Sequence, residues 1–310
     1  LAKSWQERFA HVLVDEYQDV NQVQVTLLQA ISGPQTQVAA IGDPDQAIYG
    51  FRGADRRFFS RFARDFSGAV QMELTQNYRS SAPIIAAAQG LMKAEPDVLR
   101  PQLKALSGGP LPIITALPSP EAEAGWVAQS IAALVGGVDS RQVEGPCRDA
   151  LGDYAPRDIA VLYRLHALAP VLQRALEKAG VPVQVAGQIP LAETDPLDFK
   201  AQRVSLLTMH AAKGLEWPVV FVVGLEQGLL PYLPPGKAPA PAAEERRLLY
   251  VAITRARQRL YLSRATRRTL FGETRQPALS PLLTQMPSGL LQAVKPPARK
   301  RKARQMGLFA

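Results

Sequence analysis

Two short apolar runs in the first 73 residues each end in polar side chains. One run ends just before Asp15, and the other, residues 37–41, ends just before Gly42. Residues 22–31 lie between them with helical spacing and are followed by a Gly-Pro stop signal. The pattern predicts strand, helix, strand and a further helix, which together form the carboxyl-terminal part of a first α/β lobe over residues 1–73.

The same alternation continues on a larger scale from residue 74 to about 287. We expect strands at 111–116, 159–163, 181–185, 204–209, 219–223 and 259–263, and helices after Pro83 and at 121–135, 169–179 and 244–257. Strands that alternate with helices are typical of a parallel sheet, so residues 74–287 are predicted to form a second α/β lobe. Residues 288–310 are predicted to form a disordered basic tail.

Composition adds that the chain can build sizeable cores. It has 310 residues, of which 47% are hydrophobic, and no apolar run long enough to span a bilayer. The single cysteine, Cys147, rules out an internal disulfide and favours a cytoplasmic location. The chain has no signal peptide and does not begin with Met, and we expect it to be a fragment of a longer protein.

The net charge of +9 is unevenly distributed. No acidic residue follows Glu273, whereas seven Lys or Arg residues do. A basic tail attracts polyanions, of which DNA is the foremost candidate. A solvated, flexible end is an equally open interpretation of the charge alone.

The polar residues at the two strand ends suggest metal-assisted hydrolysis. Mg²⁺ prefers oxygen ligands and keeps several waters, so one carboxylate of Asp15 and Glu16 can hold it while the other acts on an attacking water. A capping or solvated pair is the alternative. Gln46 follows the second run as a polar sensor, which completes half of a nucleotide-hydrolysis site. The other half, a GxxxxGK[ST] phosphate loop, does not occur in the 310 residues.

Further segments around these residues occur in a fixed order. They are Asp15-Glu-Tyr-Gln-Asp19, Gly42-Asp-x-x-Gln-x-Ile-Tyr-x-Phe-Arg-Gly-Ala54, Gln76-Asn-Tyr-Arg-Ser80, Thr208-x-His-x-Ala-Lys-Gly-Leu-Glu216 and Glu244-Glu-Arg-Arg-x-x-Tyr-Val-Ala-x-Thr-Arg-Ala256. This series resembles motifs II to VI of the UvrD/Rep/PcrA group of superfamily 1 DNA helicases. The resemblance implies a RecA-like P-loop NTPase fold, with a partial first lobe and a complete second lobe.

The resemblance also implies roles in ATP hydrolysis. Asp15 is similar to the Mg²⁺ ligand, Glu16 to the general base and Gln46 to the sensor of the γ-phosphate. Arg79 and Arg255 are similar to two arginine fingers, whose planar, permanently charged guanidinium groups suit a transferring phosphoryl group. The family reaction would use ATP and Mg²⁺ in a cleft between the two lobes.

Other matched residues imply contacts to nucleotide and DNA. Tyr78 is similar to the residue that stacks on adenine, and Glu216 to the carboxylate that meets the ribose. Thr208 and His210 are similar to contacts with the DNA backbone, although a lone histidine after an apolar strand is more often structural.

The aromatic pair Tyr49 and Phe51, beside Arg52, is similar to a platform for single-stranded DNA. Aromatic rings tolerate any sequence because every base has a π-face. Ordinary core packing is the alternative for both rings, but the charge and glycine woven through residues 48–52 favour the platform.

The chain departs from the family pattern in two places. The phosphate loop and the segments before motif II are missing, so we expect the isolated chain to have little or no ATPase activity. Residues 187–202 replace a large accessory insertion, the 2B subdomain, which makes movement on single strands a safer expectation than unwinding. We expect a 3′–5′ DNA helicase or translocase in DNA repair or replication; a non-hydrolysing DNA- or partner-binding remnant is the alternative.

The last residues suggest a separate partner. Gln305-Met-Gly-Leu308-Phe309 is similar to short peptides with which bacterial DNA-processing proteins bind the replication sliding clamp. A basic spacer would present a glutamine and two apolar side chains to a hydrophobic pocket. A frayed end without function is an equally open interpretation.

Overall fold

The architecture is taken from a computed structural model, which describes residues 2–95, 100–136, 147–186, 201–236 and 238–295. The predicted loop at 187–202 and the predicted clamp peptide therefore lie largely or wholly outside the described residues. Within the described ranges, no helix combines the length and apolar character that crossing a bilayer requires.

Helices and short strands alternate along most of the described chain. The helices are α1 (Ala2–Gln6), α2 (Gln22–Ile31), α3 (Arg57–Ser60), α4 (Phe62–Asp65), α5 (Ala82–Met92), α6 (Pro120–Val135), α7 (Ala169–Lys178), α8 (Ala242–Ile253) and α9 (Pro281–Thr284). The strands are β1 (His11–Val14), β2 (Gln37–Ala40), β3 (Gln76–Asn77), β4 (Lys104–Ala105), β5 (Ile113–Leu117), β6 (Ile159–Tyr163), β7 (Val183–Val185), β8 (Val204–Thr208), β9 (Trp217–Val222), β10 (Ala256–Ala265), β11 (Arg268–Leu270), β12 (Glu273–Arg275) and β13 (Gln292–Ala293).

The main sheet of the described residues has seven strands in the order β13-β5-β10-β9-β6-β8-β7. Every neighbouring pair in this sheet is parallel. Parallel strands need helical crossovers, which cover the sheet faces and make strands apolar on both sides. This α/β architecture confirms the predicted fold class.

Alternation along the strands builds one core on each face of this sheet. In β6, Val161 and Tyr163 join a cluster with α6 and α7, whereas Leu162 joins a cluster with α5 and α8. Successive strand residues point to opposite faces, so a strand with five buried residues has to be covered twice. The main sheet is therefore the middle layer of three.

Local signals in the sequence fix where the helices begin. Asn21 caps α2 and accepts a hydrogen bond from Gln24 N–H at 3.0 Å, while the Gln24 side chain accepts one from Asn21 N–H at 2.9 Å. Ser119 caps α6 in a similar way, and Pro120 follows in the first turn, where its missing N–H costs nothing. The predicted span of residues 22–31 is confirmed at both ends.

The described residues up to 73 are called the first region below, and those from 74 onward, which include the main sheet, are called the second region. A separate two-stranded parallel sheet forms the core of the first region. β1 and β2 pair from His11 with Gln37 to Val14 with Ala40, and a small cluster around Tyr17 and Phe58 packs beside them. Apolar side chains remain open to solvent here, since Leu13 is 77% exposed. Leu27 of α2 is likewise 60% exposed.

Three elements differ from the sequence-based expectations. Helix α8 ends at Ile253 instead of continuing to 257, because Arg255 and its neighbours turn directly into β10. The predicted start of the tail at residue 288 is wrong, since Gln292–Ala293 pair with β5 as an edge strand. A short helix, α1, precedes the first predicted strand.

A buried charged cluster anchors the hairpin of β11 and β12 to the main sheet. The guanidinium of Arg268 donates to Glu226 Oε1 at 2.6 Å and also to Glu123, and all three side chains are buried. Glu123 also accepts from Ser263 Oγ at 2.7 Å. Burial alone would lower the pKa of Arg268, but Glu226 and Glu123 outweigh it and hold that pKa above its ordinary value.

We expect Arg268→Leu to lower the free energy of unfolding by about 3–5 kcal/mol, because two buried carboxylates lose their partner. Urea denaturation of the chain at pH 7 measures the change. Arg275→Leu is the matched control, since Arg275 lies directly opposite Arg268 in the hairpin but its side chain is 61% exposed. The control should change stability by no more than about 0.5 kcal/mol. Equal losses in the two variants would contradict the role of the cluster.

Candidate functional site

The two candidate carboxylates lie at the carboxyl edge of the first sheet. Asp15 and Glu16 follow β1, and both are exposed. Glu16 has φ 52°, in the left-handed region that a non-glycine residue adopts only at a cost of about 1–2 kcal/mol. Gly42 at the end of β2 allows the close approach of this turn, because a Cβ there would lie 2.2 Å from Gln18 Oε1.

Gln18 links the ends of the two strands. Its side chain is buried, donates to the carboxylate of Glu16 and accepts from the Asp43 N–H at 3.0 Å. Asp43 in turn accepts from Gln46 Nε2 at 2.9 Å. Burial raises the pKa of the Asp43 carboxyl above its ordinary value. The candidate base and the candidate sensor are thus joined by one hydrogen-bonded network.

Arg255 reaches this network from the second region. Its guanidinium is buried and donates to Gln46 Oε1 at 3.2 Å, to Leu215 O at 3.1 Å and to Val251 O at 3.0 Å. Burial, together with the positive charge of Arg79, lowers the pKa of Arg255 to about 10. The predicted finger and the predicted sensor are therefore in direct contact.

Arg79 and Glu216, which were predicted to meet different parts of the nucleotide, bind each other. The Arg79 guanidinium donates to the Glu216 carboxylate, and both side chains are partly open to solvent. Ser80 and Ser81 fix this segment to the start of β10 by hydrogen bonds to Ala256 O and Arg257 O. These groups lie at the amino edge of the main sheet, where β9 and β10 begin.

Tyr78 lies on the same segment with its ring exposed. The side chain is 75% accessible, and its hydroxyl donates to Gln76 Oε1 at 3.1 Å. Large aromatic rings usually bury most of their surface, so an open ring beside Arg79 offers a face to a planar ligand.

Arg247 and Tyr250 of α8 join the second region to the first. Arg247 donates to Ala47 O at 2.9 Å, and Tyr250 donates to Asp43 Oδ2 at 3.4 Å. Arg246 is also buried and donates to Gln285 Oε1 at 2.6 Å. Arg246 and Arg247 are both buried, so the helix does not present them as a basic surface stripe.

Aromatic and basic side chains form a second point of contact between the first and the second region. Phe51 is 66% exposed and its ring packs edge-on against His210 at 5.7 Å. Tyr49 is half-buried, and the Arg52 guanidinium lies 5.0 Å from its ring centroid. Tyr49 thus contributes partly to the core, whereas Phe51 does not.

Of the predicted contacts to the DNA backbone, Thr208 is the last residue of β8 and His210 lies in the turn that follows. Thr208 Oγ1 accepts from the Ala211 N–H at 3.2 Å, which orders the turn. Burial, aided by the charges of Arg164 and Arg52, lowers the pKa of His210 to about 4. The imidazole is therefore neutral at pH 7, and it can offer a hydrogen bond but no charge.

Lys213 and Asp19 are central residues that the sequence reasoning did not assign. Lys213 Nζ donates to the Asp19 carboxylate and to Gln46 O at 2.9 Å, and it lies 3.2 Å from Glu16 Oε2. Both residues belong to the quoted motifs, and their place in those motifs was the available signal.

The carboxylates fit a magnesium ion by their chemistry. Asp15 Oδ1 accepts a local hydrogen bond from Glu16 N–H at 2.8 Å, and the side chain is open to solvent. An exposed oxygen donor with a second carboxylate next to it matches the preference of Mg²⁺ for one or two carboxylates and several waters.

Family comparisons agree with this geometry. Residues 1–67 match the UvrD/REP helicase N-terminal domain, and residues 72–196 and 188–267 match the UvrD-like helicase C-terminal domain. The chain is 31% identical to the ATP-dependent DNA helicase UvrD2 of Mycobacterium tuberculosis, over 90% of this chain and 51% of the relative. It is also 31% identical to a probable DNA helicase of Mycoplasma pneumoniae, over 84% of this chain and 45% of the relative.

Among solved structures, the C-terminal domain of a possible DNA helicase from Lactobacillus plantarum is similar to 70% of this chain, with 21% identity and a TM-score of 0.45. That match includes 98% of the solved domain. The chain spans about half the length of the curated relatives described above. The two family domains together extend over most of its residues, and the chain belongs to the UvrD-like DNA helicase family.

Proposed function

We propose that this chain carries motifs II to VI of an ATP-dependent DNA helicase or translocase that moves 3′ to 5′ on single-stranded DNA. The observation that carries the proposal is the contact of Arg255 with Gln46, at 3.2 Å, in the hydrogen-bonded network that also holds Glu16. Acids from one region and guanidinium groups from the other meet at a single seam, as hydrolysis at a closing cleft requires.

The proposed division of labour follows from where each group lies. Glu16 accepts a proton from the attacking water, and Gln46 orients that water or the terminal phosphate. Arg255 and Arg79 stabilise negative charge that develops during transfer, because guanidinium groups act strongly when water is excluded. Tyr78 and Glu216 hold the base and the ribose of the nucleotide.

Asp15 is the proposed ligand of Mg²⁺, which neutralises phosphate charge when bound with ATP. The phosphate groups themselves need an anchor that these residues do not supply, since no GxxxxGK[ST] sequence occurs among them. The exposed apolar side chains of β1 and α2 favour the same interpretation, because a parallel sheet normally has both faces covered. We propose that the chain is part of a longer helicase whose other segments cover this surface.

A remnant that binds DNA or a partner without hydrolysis is the alternative. The intact set of Asp15, Glu16, Gln46 and Arg255 favours the enzyme, since a non-hydrolysing remnant has no need to keep the sensor Gln46 in contact with the Arg255 guanidinium. The pathway that fits best is DNA repair or replication in the cytoplasm.

Glu16→Gln should lower the kcat for ATP by about 10²–10⁴-fold in the full-length helicase that contains this chain, because the general base is lost. Phosphate release with saturating single-stranded DNA measures the effect. Glu73→Gln, at an exposed position away from the seam, should leave kcat unchanged. The isolated 310-residue chain should show no turnover above background, and turnover that Glu16→Gln abolishes would contradict the need for a separate phosphate anchor.

Phe51→Ala should weaken binding of the chain to labelled oligo(dT) by about 1–3 kcal/mol, the usual contribution of one stacked base. Fluorescence anisotropy at fixed salt measures the affinity. Phe9→Ala is the matched control, because Phe9 is partly exposed but lies before β1, at the amino edge of the first sheet. Equal DNA affinity of the Phe51 variant and the wild type would show that the Phe51 ring does not contact DNA.

A sliding clamp is the proposed protein partner, through Gln305, Leu308 and Phe309. This part of the proposal depends on the sequence alone, since the peptide lies outside the described residues. A peptide of residues 295–310 should bind the bacterial clamp in a titration, and Phe309→Ala should abolish that binding because an apolar anchor is lost. Absence of binding at high micromolar peptide would exclude the interaction.

A further inference from the structure

Lys213 lies between the two halves of the candidate site. It is part of the crossover that leaves β8 after Thr208 and enters β9 at Trp217. Because β8 and β9 belong to one parallel sheet, this short segment runs from the carboxyl edge back to the amino edge. His210, beside the aromatic platform, precedes Lys213, and Glu216, beside Arg79, follows it.

Every close polar partner given above for the Lys213 ammonium comes from the first region. Nζ donates to Gln46 O at 2.9 Å and to the Asp19 carboxylate, and it lies 3.2 Å from Glu16 Oε2. It also lies 5.1 Å from the centroid of the Tyr49 ring. One cation thus contacts both the candidate base and an aromatic ring of the candidate DNA platform.

The Lys213 ammonium is buried on its Asp19 side and reaches solvent on its Glu16 side. The Lys213 side chain is only 6% exposed, while that of Glu16 is 50% exposed. Burial raises the pKa of Asp19 above its ordinary value although Lys213 opposes this, so the two form the fixed part of the arrangement. The pair with Glu16 faces water, and an ion pair in water holds a side chain weakly.

We propose that Lys213 is a positioning residue that couples DNA binding at Tyr49 to the orientation of Glu16. The inference rests on the proposed function. A base that stacks on Tyr49 removes water from the neighbourhood of the ammonium, which strengthens its attraction to the Glu16 carboxylate. Bound DNA thereby fixes the Glu16 carboxylate, which accepts the proton from water, and ATP turnover rises.

The test compares ATP turnover with and without single-stranded DNA in the full-length helicase. In Lys213→Gln, the stimulation ratio should fall by about tenfold, the order of a typical coupling between two sites. The DNA-free rate is measured in the same assay, so that the ratio separates loss of stimulation from loss of basal turnover. The dissociation constant for DNA should change far less than the ratio. Lys213→Arg, which keeps the positive charge, should recover most of the stimulation.

Two further variants separate coupling from folding. Lys213→Gln alone leaves Asp19 buried without its partner, so Asp19→Asn with Lys213→Gln replaces the ion pair by two amides. This double variant should melt close to the wild type and still lack stimulation. Lys178→Gln at the end of α7, an exposed lysine remote from the seam, is the matched control and should keep the wild-type ratio.

If DNA stimulates ATP turnover of the wild type, three outcomes would overturn the proposed role of Lys213. They are an unchanged ratio in Lys213→Gln, recovered stimulation in the double variant, and a loss of DNA affinity equal to the loss of stimulation. A wild-type protein that DNA does not stimulate would instead contradict the proposed function itself. The two failures are therefore distinguishable.

Discussion

Hydrogen bonds from buried cations of the second region to oxygen atoms of the first are the interaction on which the rest of the candidate site depends. Arg255, Arg247 and Lys213 all come from the second region, but each bonds oxygen atoms of the first. A buried cation without a partner is strongly destabilising, so these side chains keep the regions in contact. The same contacts bring the acids and the guanidinium groups to one seam.

The direction of the strands decides what each edge can do. The first sheet presents its carboxyl edge, with Asp15 and Glu16, to the amino edge of the main sheet, where β9 and β10 begin near Glu216 and Arg255. Ligands of open α/β sheets usually bind outside the carboxyl ends of the strands, and that rule describes only the first region here. The main sheet leaves its own carboxyl edge, after β8, to the aromatic platform.

The contact between the two regions therefore has a candidate nucleotide side and a candidate DNA side, and a few residues connect them. Gln46 and Tyr49 lie only three positions apart, one beside Arg255 and the other beside Arg52. A shift of that short segment changes both sides together, because packed side chains move between discrete arrangements and do not deform continuously. The proposed coupling between nucleotide and DNA therefore has a short physical route in this fold.

The sequence by itself determined the fold class, most element positions and the identity of the candidate residues. Strand β6 was predicted at its observed bounds because five apolar residues in a row are typical of a doubly covered strand. The bounds of α2 followed from its helical spacing and the Gly-Pro stop signal, which are local. Tertiary structure alone decided that Arg246 and Arg247 are buried, that Arg79 binds Glu216 and that Lys213 joins Glu16 to Tyr49. Local patterns report the spacing of residues along one element, whereas these contacts join residues that are far apart in the chain, and only packing brings them within reach.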